Sequence, residues 1–111
     1  MPNKTNQGNV YAQKYIDDTD SPYTYSIEDG GLFIDVSSDV VVVNLPAASS
    51  GAIRFPIKDI SCNAASKNIT INRNGTDTII TTLTAQTSYV MSNNGEAIWL
   101  ESNGVDTWYL Y

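Results

Sequence analysis

The most constraining feature of this sequence is residues 40–71, where three predicted β-strands follow one another with no room for a helix between them. The first is the run of four valines at 40–43, whose β-branched side chains favour a pleated surface. A turn follows, because Pro46 has no N–H to donate to a neighbouring strand. Residues 53–58 and 68–72 then alternate apolar and other residues, as strands with one buried face do. This stretch predicts β architecture at short spacing.

The same pattern extends from Tyr23 to the end of the sequence. Short alternating segments are separated by turn signals, among them Glu28-Asp29-Gly30-Gly31, which predicts a hairpin, and the pair Asn74-Gly75. We count about nine strands, with a turn every ~8–12 residues, and no sustained helical periodicity. The sequence therefore predicts an all-β domain at 23–111, a compact antiparallel β-sandwich or jelly-roll-like barrel.

Residues 1–22 differ from this domain in composition. They are rich in Asn, Gln, Thr and Asp and contain too little apolar surface for a core of their own. One interpretation is a frayed terminus. The alternative that we favour is an extended N-terminal arm that becomes ordered on a neighbouring subunit or particle. Its anchors would be Val10, Tyr11, Tyr15 and Ile16, which are spaced to cover one side of a short helical turn.

Charge and cysteine content exclude several classes of protein. The formal net charge is −6, and residues 17–39 contain seven acids and no base. Because nucleic-acid binders concentrate Lys and Arg on one face, we expect no direct DNA or RNA partner. No apolar run approaches a membrane span, and no signal-peptide pattern follows Met1, so we expect no membrane partner. Cys62 is the single cysteine, which rules out an intramolecular disulfide.

Candidate catalytic and metal-binding residues are few. The sequence contains no His, which removes His-based triads and His metal sites. Asp17-Asp18-Thr19-Asp20 offers clustered carboxylates for a hard cation, but lacks the Gly and terminal Glu of a calcium loop. A solvated acidic hinge is the simpler interpretation. Asp35 and Asp39 form a carboxylate pair of the kind that glycoside hydrolysis needs, yet a chain with 12 acids offers many such pairs. We expect no enzyme activity and no cofactor.

A set of short sequence motifs, spaced along residues 23–111, resembles a β-module of tailed-bacteriophage virion proteins. These motifs are Leu45-Pro46, the small-residue loop with Gly51, Ile57-Lys58-Asp59, Asn63-Ala64, Asn68-Ile69-Thr70-Ile71-Asn72, Asn74-Gly75, Asp77-Thr78-Ile79, and the C-terminal Gly104 and Trp108. Cys62 departs from the pattern, since a glycine would suit the turn there. Modules of this kind occur in tail fibres, head fibres and small capsid-decorating proteins, and are commonly trimeric. The resemblance implies a structural protein of the virion, assembled in the host cytoplasm.

A sequence of 111 residues that opens on Met1 favours a self-contained capsid decoration (cement) protein, because a fibre would need further domains for attachment and reach. Its expected partners are a homotrimer and the major capsid protein or another virion protein. Aromatic residues are enriched at interface cores, so the predicted trimer interface uses Tyr89, Trp99, Trp108 and Tyr111. The alternative is a tail-fibre or head-fibre module that recognises a host surface glycan through an exposed Trp99 or Trp108.

Overall fold

The computed structural model describes residues 13–82 and 84–111, and the statements below concern that part of the chain. It forms eleven β-strands and two short 3-10 turns, Asp18–Asp20 and Ala48–Ser50. The strands are β1 (Lys14–Ile16), β2 (Tyr23–Thr24), β3 (Leu32–Ile34), β4 (Val41–Asn44), β5 (Arg54–Asp59), β6 (Ile69–Asn72), β7 (Thr78–Ile80), β8 (Ala85–Gln86), β9 (Ser88–Met91), β10 (Ala97–Ser102) and β11 (Thr107–Leu110). The all-β class is confirmed, and the described strands number eleven rather than about nine.

The strands lie in two sheets, and the first six alternate between them. One sheet has the order β1-β3-β5-β10-β11-β7-β8, and the other has the order β2-β4-β6-β9. Within each sheet the early strands are parallel neighbours: β1 with β3 with β5, and β2 with β4 with β6. Parallel neighbours cannot be joined by a tight hairpin and need a long crossover. In residues 14–72, which we call the two-sheet coil, each connection between parallel neighbours contains one strand of the other sheet.

The later strands close the sheets mainly by antiparallel pairing. β10 lies between β5 and β11, β9 pairs with β6, and β8 pairs with β7, all antiparallel, whereas β7 and β11 are parallel. The expected antiparallel arrangement is thus correct for four strand pairs and wrong for five. The hairpin predicted at residues 28–31 is wrong for a clear reason: this turn carries the chain from β2 in one sheet to β3 in the other.

Buried side chains from both sheets form one hydrophobic core. Its aromatic centre consists of Tyr25, which stacks on Phe55 with ring centroids 3.6 Å apart, and Trp108, which meets Phe55 edge-on at 5.9 Å. The Trp108 indole N–H donates to the Pro46 carbonyl at 3.2 Å. Burying a tryptophan usually requires a partner for this N–H, and the chain provides one from the loop after β4.

Strand β5 follows the register that its alternation predicts. Phe55 and Ile57 are buried, Ile53 packs against the core, and Arg54 is exposed. Pro56 lies on the outer side, opposite Trp99 of β10. The turn after β5 places Cys62 at φ +54°, in the left-handed region that favours glycine. This agrees with the sequence-based expectation that a glycine would suit the turn at this position.

The N-terminal boundary of the sheets lies before Tyr23. Residues Lys14–Ile16 form an edge strand parallel to β3, and Ile16 is buried beside Ile34. The helical turn expected around Tyr15 and Ile16 is therefore a strand instead. Pairing with β3 supplies backbone partners that a short isolated helix lacks, and burying Ile16 favours the extended form. Val10 and Tyr11, the other two predicted anchors, lie outside the described residues.

Candidate interaction surface

The outer side of the seven-stranded sheet exposes an unusual number of aromatic rings. On β10 the side chains of Ile98 and Leu100 are buried, so Trp99 between them points outward and is 43% exposed. On β11 the burial of Trp108 turns Tyr109 and Tyr111 outward, where they are 40% and 62% exposed. Solvated aromatics of this size in one sheet face are candidates for contact with a partner.

Arg54 lies across two of these rings. Its guanidinium carbon is 4.7 Å from the centre of the Trp99 ring and 5.6 Å from that of Tyr111. Trp99 and Tyr111 are neighbours because their backbones exchange two hydrogen bonds, of 3.3 and 2.9 Å. The Tyr111 hydroxyl in turn donates to Glu101 at 3.1 Å, and this hydrogen bond raises the pKa of Tyr111. Stacking orders the guanidinium while its edge keeps N–H groups for a partner.

A second aromatic pair continues the surface toward the edge of the sheet. Tyr15 of β1 and Phe33 of β3 occupy the same cross-strand row, with ring centroids 5.2 Å apart, and Tyr15 is 66% exposed. The row continues to Lys58 of β5. We refer to the outward side chains of Tyr15, Phe33, Arg54, Trp99, Tyr109 and Tyr111 as the aromatic face.

The four predicted interface residues separate into three environments. Trp99 and Tyr111 lie together on the aromatic face. Trp108 is completely buried and belongs to the core. Tyr89 lies on β9 of the other sheet, partly buried against the core. Burial and a 2.5 Å hydrogen bond to Glu96 raise the pKa of Tyr89 to about 12.

Among the predicted arm anchors, Tyr15 and Ile16 point to opposite sides of β1. Tyr15 belongs to the aromatic face, and Ile16 belongs to the core. Sequence reasoning missed this role of Tyr15, and it missed Tyr109 altogether. The alternation of residues 107–111 contained the necessary signal: once Trp108 is placed inward, Tyr109 and Tyr111 must share the outer side.

The acidic candidates accept hydrogen bonds within turns, and Asp17, Asp20 and Asp35 line one pocket together with Tyr15. Asp17 accepts hydrogen bonds from the Thr19 amide at 2.9 Å and its hydroxyl at 2.5 Å, and Asp20 accepts from the Asp17 amide. Asp35 accepts from the Ser37 amide, and Asp39 accepts from the Val40 amide. Across the described residues, no group of three or more Cys, Asp or Glu side chains is arranged to hold a metal ion.

The one carboxylate with a demanding environment is Asp59, at the end of β5. It is fully buried and accepts hydrogen bonds from the Ser61 amide and hydroxyl and from the amides of Asn63, Ala64 and Gly95, all between 2.7 and 3.0 Å. Burial raises the pKa of Asp59, but these donors outweigh it and bring the pKa down to about 2. Its partners are turn residues, so this carboxylate holds the β5–β6 turn against the β9–β10 turn.

A shallow groove lies beside strands β8 and β9. It encloses about 450 Å³ and is lined by uncharged side chains: Thr81, Thr82, Gln86, Ser88, Tyr89 and Val90. Five of the six lining residues carry a hydroxyl or an amide group. The groove contains no charged side chain that could act as an acid or base.

No family model matches this chain, and no curated protein matches it either. In the described residues, no helix is both long enough and apolar enough to cross a lipid bilayer.

Proposed function

We propose that this chain is a non-enzymatic structural protein of a tailed-bacteriophage particle, a capsid decoration protein that assembles as a homotrimer and binds the major capsid protein. In this proposal the two sheets form a sandwich that serves as a rigid support for the aromatic face. The observation that carries the proposal is the exposure of Trp99, Tyr109 and Tyr111 around Arg54. Trp, Tyr and Arg are the residues most enriched at the energetic centres of protein interfaces.

The occupant that we propose for the aromatic face is a second copy of the chain, because Arg54 on the face and the exposed acidic turns of residues 17–39 carry opposite charges. The face contains Arg54, and Lys58 and Glu101 border it. Among the acids of residues 17–39, Asp17, Asp20 and Asp35 line a pocket with Tyr15 at the β1 edge of the face, and Glu28 and Asp39 lie on exposed turns. A contact between the face of one copy and the acidic turns of the next is heterologous, and such contacts close into a ring when the rotation permits. The closed ring that we propose contains three copies.

Catalysis is disfavoured by the chemistry of the described residues. The carboxylates at Asp17, Asp20, Asp35 and Asp39 are engaged in capping backbone amides. Asp59 has a low pKa and sits beneath turn amides, which suits an anchor and not a proton donor at neutral pH. A binding role would explain why the rings of the aromatic face are exposed. A catalytic role would give these rings no function.

The test is the mass of the protein in solution and its dependence on the aromatic face. Light scattering at micromolar concentration should give three times the 12.1 kDa chain. The double variant Trp99→Ser, Tyr111→Ser should shift the protein to monomer. Val90→Ser is the matched control, since Val90 is 44% exposed on the other sheet and should leave the trimer intact. A monomeric wild-type protein, or equal dissociation by the control, would contradict the proposal.

Binding to the particle is a separate measurement. Wild-type protein should co-sediment with empty heads that lack it. If the protein is a trimer and binds capsids, the monomeric variant should occupy fewer sites on the heads, because multivalent attachment is lost. A trimer that shows no affinity for heads would retain the assembly proposal and reject the decoration role.

One observation favours a second candidate function, recognition of a host surface glycan. Trp99 is exposed beside Arg54 and Glu101, and an indole flanked by polar groups is a common platform for a sugar ring. Trp99 fluorescence should then change on titration with host polysaccharide, whereas Trp108 is buried and should be silent. Binding to intact host cells that Trp99→Ser abolishes would support this function, and binding to heads alone would reject it.

A further inference from the structure

The sequence contains three Asn-Gly pairs, Asn74-Gly75, Asn94-Gly95 and Asn103-Gly104, each in a turn whose glycine has a positive φ. This dipeptide is the one in which an asparagine side chain is attacked most easily by the next backbone nitrogen, because glycine has no Cβ to hinder the approach. Sequence alone gives the three pairs the same chemistry. Their surroundings in the fold differ.

Two of the pairs are held by hydrogen bonds. The Asn103 carboxamide oxygen accepts from the amides of Val105, Asp106 and Thr107 at 2.8, 3.0 and 3.1 Å. The Asn94 oxygen accepts from the Ala65 amide at 3.0 Å, and the Gly95 N–H that would have to attack donates to buried Asp59 at 3.0 Å. Each reaction therefore requires these contacts to open first.

The third pair has no such restraint. Asn74 and Gly75 are both exposed, and a Cβ placed on Gly75 would meet no atom within 4 Å. Within the described residues, neither the Asn74 carboxamide nor the Gly75 N–H makes a hydrogen bond. The turn is closed by a different contact, from the Asp77 amide to the Asn74 carbonyl at 2.9 Å.

We propose that Asn74 is a site of spontaneous deamidation, and that Asn94 and Asn103 are protected by the fold. The Gly75 nitrogen loses its proton to hydroxide and attacks the Asn74 side-chain carbonyl carbon, and ammonia leaves with the Cγ–Nδ2 bond. The resulting succinimide is opened by water at either carbonyl, which gives aspartate or isoaspartate. The product adds one negative charge, so the formal net charge changes from −6 to −7.

Isoaspartate also inserts a main-chain carbon between β6 and β7, and its effect extends beyond the turn. Asp77, three residues on, accepts a 2.8 Å hydrogen bond from the Ala48 amide, which ties this turn to the loop after β4. Lengthening the main chain at residue 74 displaces Asp77 from Ala48. Aged protein should therefore lose amide-exchange protection at Ala48 before it loses protection at the core strands.

The test is to incubate the full chain at physiological temperature and to map mass increases of about one dalton by digestion and fragmentation that distinguishes isoaspartate. We expect Asn74 to convert first, with Asn94 and Asn103 slower by roughly fivefold or more, since each hydrogen bond that must open contributes a factor of that order. Asn74→Gln should remove the early product. Equal rates at Asn94 or Asn103 in the folded protein would overturn the proposal.

Unfolded protein is the control that separates the fold from the flanking sequence. In concentrated urea the three pairs should react at similar rates, because no hydrogen bond then protects Asn94 or Asn103. If Asn74 remains the fastest by the same ratio in urea, the neighbouring residues and not the fold determine the order, and the inference fails.

Discussion

Tyr25 lies flat against Phe55, with their ring planes 8° apart, and this contact joins the loop after β2 to strand β5. The Tyr25 hydroxyl donates to the carbonyls of Asp29 and Gly30 at 2.7 and 2.8 Å. One side chain thus fills the core with its ring and fixes the turn between the sheets with its hydroxyl. Burial of this phenol raises its pKa, as expected for a neutral group that donates from the core.

Removing the partner ring should have a large effect on stability. Phe55→Ala leaves a cavity between Tyr25 and Trp108, and a large-to-small change of this kind costs about 3–5 kcal/mol in the free energy of unfolding. Urea denaturation followed by Trp108 fluorescence measures it. Val105→Ala is the control, because Val105 is exposed and should change the free energy by less than about 0.5 kcal/mol. A Phe55→Ala variant as stable as the control would refute the assigned register of β5.

The sequence was sufficient to predict that Phe55 and Ile57 of β5 are buried, but not which strand lies beside which. Alternation at residues 53–58 depends only on the geometry of an extended chain, and Phe55 and Ile57 are buried as it requires. Strand neighbours depend on where each turn sends the chain. Glu28-Asp29-Gly30-Gly31 has the composition of a hairpin, yet the hydroxyl of buried Tyr25 binds its Asp29 and Gly30 carbonyls, and the turn connects the two sheets.

The candidate site was predictable in part for the same reason. Trp99 and Tyr111 are outward residues of strands whose alternation is clear in the sequence. Trp108 has the same aromatic character, and only the position of its strand among the others decides that it faces the core. The sequence places Tyr15 in a terminal arm because a strand of three residues has no periodicity to detect. Its partner strand β3 is 18 residues away along the chain.

Truncation separates the edge strand from the residues that precede it. Deleting residues 1–22 removes β1 and with it Ile16, and it also removes Ser21, whose hydroxyl accepts from the Val42 amide at 2.8 Å. We expect this deletion to lower the melting temperature more than deletion of residues 1–12 does. Thermal denaturation of both truncated proteins measures the difference. Equal melting temperatures would show that β1 adds nothing to the stability of the sheet.

The contact between Arg54 and Trp99 should contribute little to the stability of a single copy. A cation–π contact at an exposed site is worth about 0.5–1 kcal/mol, so Arg54→Met should change the free energy of unfolding by no more than this. If the aromatic face is an interface, the same variant should weaken trimer formation by at least tenfold, because buried Arg contacts dominate interfaces. Sedimentation across a concentration series measures the second effect, and a trimer unaffected by Arg54→Met would separate this residue from assembly.

Asp59 should make the protein sensitive to acid within a defined range of pH. Its folded-state pKa is about 2, below the ordinary value of 3.8, so the unfolded state binds a proton more readily. The stabilisation is therefore complete above about pH 5 and is lost as the pH falls toward 2. A difference of this size corresponds to about 2 kcal/mol.

Other carboxylates also titrate in this range, and a variant is needed to isolate the contribution of Asp59. Ser61→Ala removes the hydroxyl that donates to Asp59 at 2.7 Å and leaves the backbone donors in place. The pKa of Asp59 should rise toward its ordinary value, so the stability gap between wild type and variant should be widest near neutral pH and should narrow on acidification. Urea denaturation at several pH values measures the gap. A gap that stays constant down to about pH 2 would mean that Asp59 is not the group whose protonation destabilises the fold.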